Sequence, residues 1–175
     1  MKKSVALFLG RFQPLHRGHL HIMQRLAKKG YALKIAIGSA QEAGTDLNPF
    51  SLQQRKIMLR RALRDAGIKG YRLFGVPDIG DDEAYVAHVR KIAGPFDVVH
   101  AAENPLTYRL FRDAGYVTYR CKRWEGISST AIRQSWLHRS ALWTRMVPAC
   151  NTDLIMRWNH RNHGKKASRK TKRDS

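Results

Sequence analysis

Short continuous apolar runs alternate along this chain with longer stretches whose apolar positions recur every three or four residues. Val5-Ala6-Leu7-Phe8-Leu9, Leu33-Lys34-Ile35-Ala36-Ile37 and Asp97-Val98-Val99-His100-Ala101 read as strands covered on both faces, as in a parallel sheet. The pattern predicts strands near 4–9, 33–37, 71–76, 97–101 and 116–120. It predicts helices near 18–29, 52–66, 83–93, 105–113 and 130–138, and a further helical stretch around 150–158. This rhythm predicts an α/β fold, an open parallel sheet with helices on both faces. The second helix starts clearly: Ser51 fits an N-cap and Gln54 its reciprocal partner, Ile57, Met58, Ala62 and Leu63 supply an apolar stripe, and Gly67 is a stop. Open sheets bind ligands beyond the carboxyl ends of their strands. Here those ends hold Gly10, Gly38-Ser39, Pro77-Asp78, Ala102-Glu103-Asn104 and residues 123–129.

Length and composition sharpen this picture in three ways. A chain of 175 residues with 43% apolar content suits one domain with a sound core, predicted over residues 1–158, and an appendage. No apolar run approaches the roughly 20 residues that span a bilayer, and two cysteines without metal spacing fit a reduced, cytoplasmic protein with no membrane partner. The net charge is +20, of which residues 157–175 carry +7 and the body +13. The basic tail, 159–175, lacks apolar periodicity and is predicted to be disordered. The body's excess suits an anionic substrate. The tail suits either weak contact with RNA, DNA or another polyanion, or a solubilising terminus, and composition does not choose between them.

Chemistry concentrates in Gly10-Arg11-Phe12-Gln13-Pro14-Leu15-His16-Arg17-Gly18-His19. A strand, a turn and a helix N-terminus carry several cationic groups, and free N–H groups at such a terminus favour anions. His16 and His19 are three apart and share a face, Gly18 lets a nucleotide approach the backbone, and Arg11 adds a bidentate phosphate donor. The alternative is a polar helix start with solvent-exposed histidines. His16, His19 and His21 crowd together, but no carboxylate or cysteine joins them and His21 leaves the shared face, so no metal site is assigned to protein side chains. A second segment, Gly126-Ile127-Ser128-Ser129-Thr130-Ala131-Ile132-Arg133, offers a serine cap, hydroxyls and an arginine one turn on; alone it is equally a plain helix cap with a surface arginine. Together the two segments open the first helix and the helix after the last strand, and they can converge on one cleft. GxxxxGK[ST] and GxGxxG are both missing, as is a Ser/His/Asp nucleophile set, which favours a reaction that needs no protein nucleophile.

These residues carry a resemblance. Gly10–His19 resembles the (H/T)xGH signature of the nucleotidylyltransferase superfamily, and Ile127–Arg133 its ISxTxxR partner. Within it the chain is similar to the archaeal-type nicotinamide-nucleotide adenylyltransferases, through GRFQPLHRGH, IGSAQ at 37–41, NPF at 48–50, PDI at 77–79, Asn104-Pro105 and ISSTAIR, over roughly residues 4–158. The resemblance implies a Rossmann-like nucleotidylyltransferase fold. It also implies adenylyl transfer from ATP, with Mg²⁺ on the pyrophosphate, to nicotinamide mononucleotide, giving NAD and pyrophosphate.

It assigns His16, His19, Arg11 and Arg133 to catalysis at the ATP phosphates, with Ser129 and Thr130 assisting. Gly10, Arg11, Phe12, Gly18, Asn104 and Ile127 complete the ATP side, and Gly38, Ser39, Asp78 and Tyr85 line the nicotinamide-nucleotide side. A homo-oligomer is also implied. The chain departs from these relatives at three places: Tyr85 stands where they usually carry Trp, Leu47 where they often carry a basic residue, and Ala102-Glu103 where they have a small residue and Gly. Arg11 or Lys34 is expected to replace the missing cation, and Glu103 to face a ribose hydroxyl or solvent. Transfer to nicotinic acid mononucleotide or phosphopantetheine, or a non-catalytic nucleic-acid-binding relative, are the alternatives.

Overall fold

The apolar runs form five strands: β1 (Val5–Gly10), β2 (Ala32–Ile37), β3 (Tyr71–Gly75), β4 (Val98–Ala101) and β5 (Val117–Arg120). The computed structural model describes residues 3–101, 104–120, 124–138 and 140–158. The basic tail and Glu103 therefore lie outside the described residues. All strands pair in parallel in the order β3-β2-β1-β4-β5, so β1 is central and the chain reverses direction across the sheet between β1 and β4.

Alternation within the runs decides which helix covers which face. Ala6 and Phe8 of β1, with Leu33, Ile35 and Ile37 of β2, face a core built with α1 (Arg17–Lys28), α2 (Leu52–Asp65) and α5 (Ser129–Leu137). Leu7 and Leu9, with Ala36 and Val99, face the opposite core, which α3 (Asp82–Ala93) closes through Val89 and Ala93, and α4 (Pro105–Asp113) through Phe111.

The predicted cap of α2 is present: the Ser51 amide donates to Gln54 Oε1 at 2.8 Å and the Gln54 amide to Ser51 Oγ at 3.3 Å. Its stripe differs from expectation. Ile57 is exposed at 41%, while Arg55 and Leu59 are buried beside Met58, Ala62 and Leu63. The last helical stretch is preceded by 3-10 turns at Ala141–Arg145 and Ala149–Asn151, and the helix itself runs over 152–158. This segment packs against α1, α2 and α5. The Arg17 amide donates to the Met146 carbonyl at 2.9 Å, and Asn151 Nδ2 to the Met58 carbonyl at 3.1 Å. Trp136 meets Phe50, Trp143 and Trp158 ring to ring. None of the described helices is long and apolar enough to cross a membrane.

Candidate active site

At the carboxyl edge of the sheet, where β1 and β4 part, a cavity of about 470 Å³ is lined from four strand ends. Gly10, Arg11, Phe12, His16, His19, Gly38, Ser39, Asp78, Tyr85, Asn104, Ser129, Thr130 and Arg133 all reach its wall, so the two sequence segments meet as expected. Gly18 and Ile127 do not. A Cβ at Gly18 would meet His16 Nδ1 at 3.1 Å, so that glycine makes room for an imidazole rather than for a ligand. Ile127 is 7% exposed and packs into the core.

The turn after β1 is held by burial. Phe12 adopts a left-handed φ of 53° while fully buried, a conformation that costs a bulky residue about 1–2 kcal/mol. Its ring lies where a Gly10 Cβ would approach it at 3.0 Å, so Gly10 is required for this packing. The turn leaves Arg11 exposed in the cavity wall and Gln13 buried. Gln13 then pins the 48–50 loop, donating Nε2 to the Phe50 carbonyl at 2.9 Å and accepting the Phe50 amide on Oε1 at 2.8 Å.

His16 and His19 differ from the sequence expectation in charge. His16 caps α1: its Nδ1 accepts the His19 amide at 3.3 Å, while His19 Nδ1 accepts the His16 amide at 3.4 Å. The rings stack with centroids 3.6 Å apart. Burial lowers His16 to about 4, and burial with the neighbouring His16 holds His19 well below its ordinary value. Neither is a cation at neutral pH. With both Nδ1 atoms accepting, each neutral ring keeps its proton on Nε2, and the pair presents two N–H donors.

The second segment supplies the charge. Arg133 donates Nη1 to the Gln13 carbonyl at 2.7 Å and Nη2 to Thr130 Oγ1 at 3.4 Å, which aligns its fork with the first segment. Burial first, then Arg11, lowers its affinity for its proton. Ser128, not Ser129, caps α5, accepting the Ala131 amide at 3.1 Å. Ser129 Oγ donates to the Pro14 carbonyl at 3.0 Å, so its proton is committed. The amides of Ser129 and Thr130 lie ahead of the helix's own ladder, which starts at Ile132 to Ser128. Asn104 Oδ1 is committed as the cap of α4, at 3.0 Å from the Leu106 amide. The N-termini of α1, α4 and α5 therefore converge on one cavity, and none has an acidic residue in its first turn. That arrangement attracts an extended anion.

Among the described residues Asp78 is the single carboxylate of the lining, which also holds Ser39 and Tyr85. Tyr85 both lines the cavity and packs edge-on against Phe111 with centroids 6.4 Å apart. Burial, with help from Asp78, pushes its hydroxyl up to about 12. Lys34 does not replace a missing phosphate contact, because its Nζ donates to the Ala93 and Pro95 carbonyls, each at 2.7 Å. Leu47 is 64% exposed and outside the lining. Sequence reasoning missed Leu9, Gln13, Pro105, Thr107 and Ser128 in the wall; Gln13, Pro105 and Ser128 lay inside quoted motifs, whereas Leu9 and Thr107 belonged to none. No cluster of three His, Cys, Asp or Glu suited to a metal ion occurs among the described residues.

Buried neutral imidazoles have a measurable consequence. His100, only half-buried and lowered to about 4 by burial first, then Lys29 and Arg25, adds to His16 and His19. The unfolded chain, titrating near 6.5, binds more protons than the folded one below that pH. Stability is therefore fully present above about pH 6.5 and falls toward pH 4, by up to about 1.4 kcal/mol per pH unit for each fully buried group. Thermal unfolding is expected to show a steady Tm from about pH 8 to 7 and a fall between about 6.5 and 4.5. A flat profile there would contradict neutral, buried histidines.

A family model described as cytidylyltransferase-like matches residues 7–135. A nicotinamide-nucleotide adenylyltransferase of Methanolobus tindarius is 38% identical over 152 residues, 86% of each chain. Another, from Ignicoccus hospitalis, is 39% identical over 154 residues, 86% of this chain and 90% of that one. Among solved structures, a bifunctional NMN adenylyltransferase/ADP ribose pyrophosphatase from Francisella tularensis, complexed with AMP and a manganese ion, superposes with a TM-score of 0.66 at 24% identity. It covers 86% of this chain, which spans 45% of that one.

Proposed function

The chain belongs to the cytidylyltransferase-like family and, by its relatives, to the nicotinamide-nucleotide adenylyltransferases; from that premise we propose that it joins ATP and nicotinamide mononucleotide into NAD and pyrophosphate. The observation that carries the reading is the convergence of three acid-free helix N-termini, Arg11, Arg133 and two imidazole Nε2–H donors on one cavity.

In this reading the triphosphate lies along α1, α4 and α5. The mononucleotide enters past Gly38, Ser39, Asp78 and Tyr85. A phosphate oxygen of the mononucleotide attacks the α-phosphorus, the bond to the bridging oxygen breaks on the opposite side, and pyrophosphate leaves with the electron pair. No protein nucleophile and no general base are needed, since the attacking phosphate is already an anion. The protein's work is orientation and charge stabilisation. His16 and His19 donate Nε2–H to oxygens that gain charge at the α-phosphate. Arg11 and Arg133 hold the β- and γ-phosphates, with the α5 amides and Thr130 beside them. Asn104 contributes its amide nitrogen toward the nucleotide, and Gly10 and Phe12 frame the adenosine. Magnesium enters as part of the substrate, on the pyrophosphate end of ATP.

The test is pyrophosphate release from ATP with nicotinamide mononucleotide, nicotinic acid mononucleotide or phosphopantetheine as acceptor. It is run on the full chain and on one ending at residue 158. Release with nicotinamide mononucleotide is expected at equal rates for both, since the catalytic domain is assigned to residues 1–158. Retention on RNA or DNA at low salt is expected to weaken only in the shortened chain. No release with any mononucleotide would sink the enzyme reading.

A further inference from the structure

Beneath the cavity lies a guanidinium that the mechanism above leaves unused. Arg55, in the first turns of α2, is 0% exposed. Its Nη1 donates to two carbonyls at once, Arg11 at 3.1 Å and Gly38 at 2.8 Å. Its Nη2 reaches the carbonyls of Ser39 at 3.0 Å, Glu42 at 3.3 Å and Ala40 at 3.5 Å, and Nε that of Ser51 at 3.4 Å. Among the described residues no carboxylate forms an ion pair with it. A buried charge ordinarily needs such a partner; here backbone dipoles take that place, while burial lowers the guanidinium to about 10, an effect that Asp78 opposes and Arg11 reinforces.

The bonded carbonyls fall at a mechanical weak point. The β1–β2 ladder ends where the Gly38 amide donates to the Gly10 carbonyl at 3.0 Å. Past it, both chains turn through left-handed residues that are not glycine, Phe12 at φ 53° and Ser39 at φ 46°. Both turns are strained, and both flank carbonyls that Arg55 holds.

We propose that Arg55 is a positioning residue. By tying Arg11 and Gly38 to one nitrogen, it sets the gap between the wall assigned to ATP and the wall assigned to the mononucleotide. The inference rests on the adenylyl-transfer reading. In-line transfer demands that acceptor oxygen and α-phosphorus lie about 3–3.5 Å apart, and a misplacement of about 1 Å can cost roughly 10²-fold. Losing Arg55 widens or loosens that gap without removing a ligand contact, so turnover falls while ATP affinity stays.

The experiment compares the unaltered chain with Arg55→Met, which keeps the bulk, and Arg55→Lys, which keeps the charge but not the fork. Each is titrated calorimetrically with ATP for stoichiometry and Kd, then assayed with ATP and nicotinamide mononucleotide for kcat and both KM values. The expected result is stoichiometry near one, ATP Kd within about 3-fold and kcat lowered by about 30–100-fold in Arg55→Met, with Arg55→Lys between. The inference is overturned in three ways: kcat per ATP-binding site unchanged within about 3-fold, kcat falling only in step with weakened ATP binding, or neither variant binding ATP at full stoichiometry, which would make Arg55 a folding residue. An inactive unaltered chain would instead sink the functional reading itself.

Discussion

Replacing His19 with alanine is expected to lower turnover by at least ~100-fold, the scale on which a single preorganised donor to developing charge is felt. The geometry says why the loss is in turnover. His19 is neutral and its Nδ1 is occupied by the His16 amide, so its remaining function is the Nε2–H donor. In the proposed role that donor gains most when charge builds on the α-phosphate, which places the expected effect in kcat rather than in ATP affinity. Alanine also removes the acceptor of the helix cap, so His19→Asn is the control. Its side-chain oxygen can accept the His16 amide but offers no donor at the Nε2 position. Both variants should be slow, and only alanine should also lose thermal stability, by about 0.5–2 kcal/mol. An unchanged rate in either would show that the segment is structural in this chain.

Arg133→Ala is expected to cost about 10²–10³ in kcat/KM for ATP, with a raised KM as its main component. The loss has two parts. The proposed charge-assisted fork to phosphate would disappear, and the Gln13 carbonyl, bonded at 2.7 Å, loses its donor at the turn that carries Arg11. Arg133→Lys should recover only part of this, because an ammonium keeps the charge but cannot span phosphate and carbonyl together. Steady-state kinetics at saturating nicotinamide mononucleotide, with ATP varied, checks it. An unchanged ATP dependence would remove Arg133 from the phosphate site.

Much of this was legible in the chain because the signals were periodic. β1, β2 and β4 were marked by continuous apolar runs, and the cap of α2 by Ser51 and Gln54. The cavity wall was legible where a side-chain type carries its chemistry on its face, as with His16, His19, Arg11 and Arg133, which all line it. What stayed hidden was whatever burial decides. Residues that look cationic at the start of α1 are neutral, because mutual capping takes both Nδ1 atoms and burial disfavours the charge. Arg55, between two polar neighbours, reads as a solvated position, whereas Ile57 reads as core; the backbone carbonyls beneath the sheet edge reverse the pair. Lys34 reads as a cation available for phosphate, but the carbonyls at the end of α3 take its Nζ. Such facts depend on which backbone groups converge, and no residue spacing encodes that.

The strand order has a bearing on how such a chain can change over generations. Because β2 and β3 lie on one flank of β1 and β4 and β5 on the other, the residues proposed for the acceptor, Gly38, Ser39, Asp78 and Tyr85, come from segments separate from those proposed for the triphosphate. With the proposed roles, drift in the β3–α3 loop would retune which acceptor is taken and leave the residues proposed for the triphosphate intact.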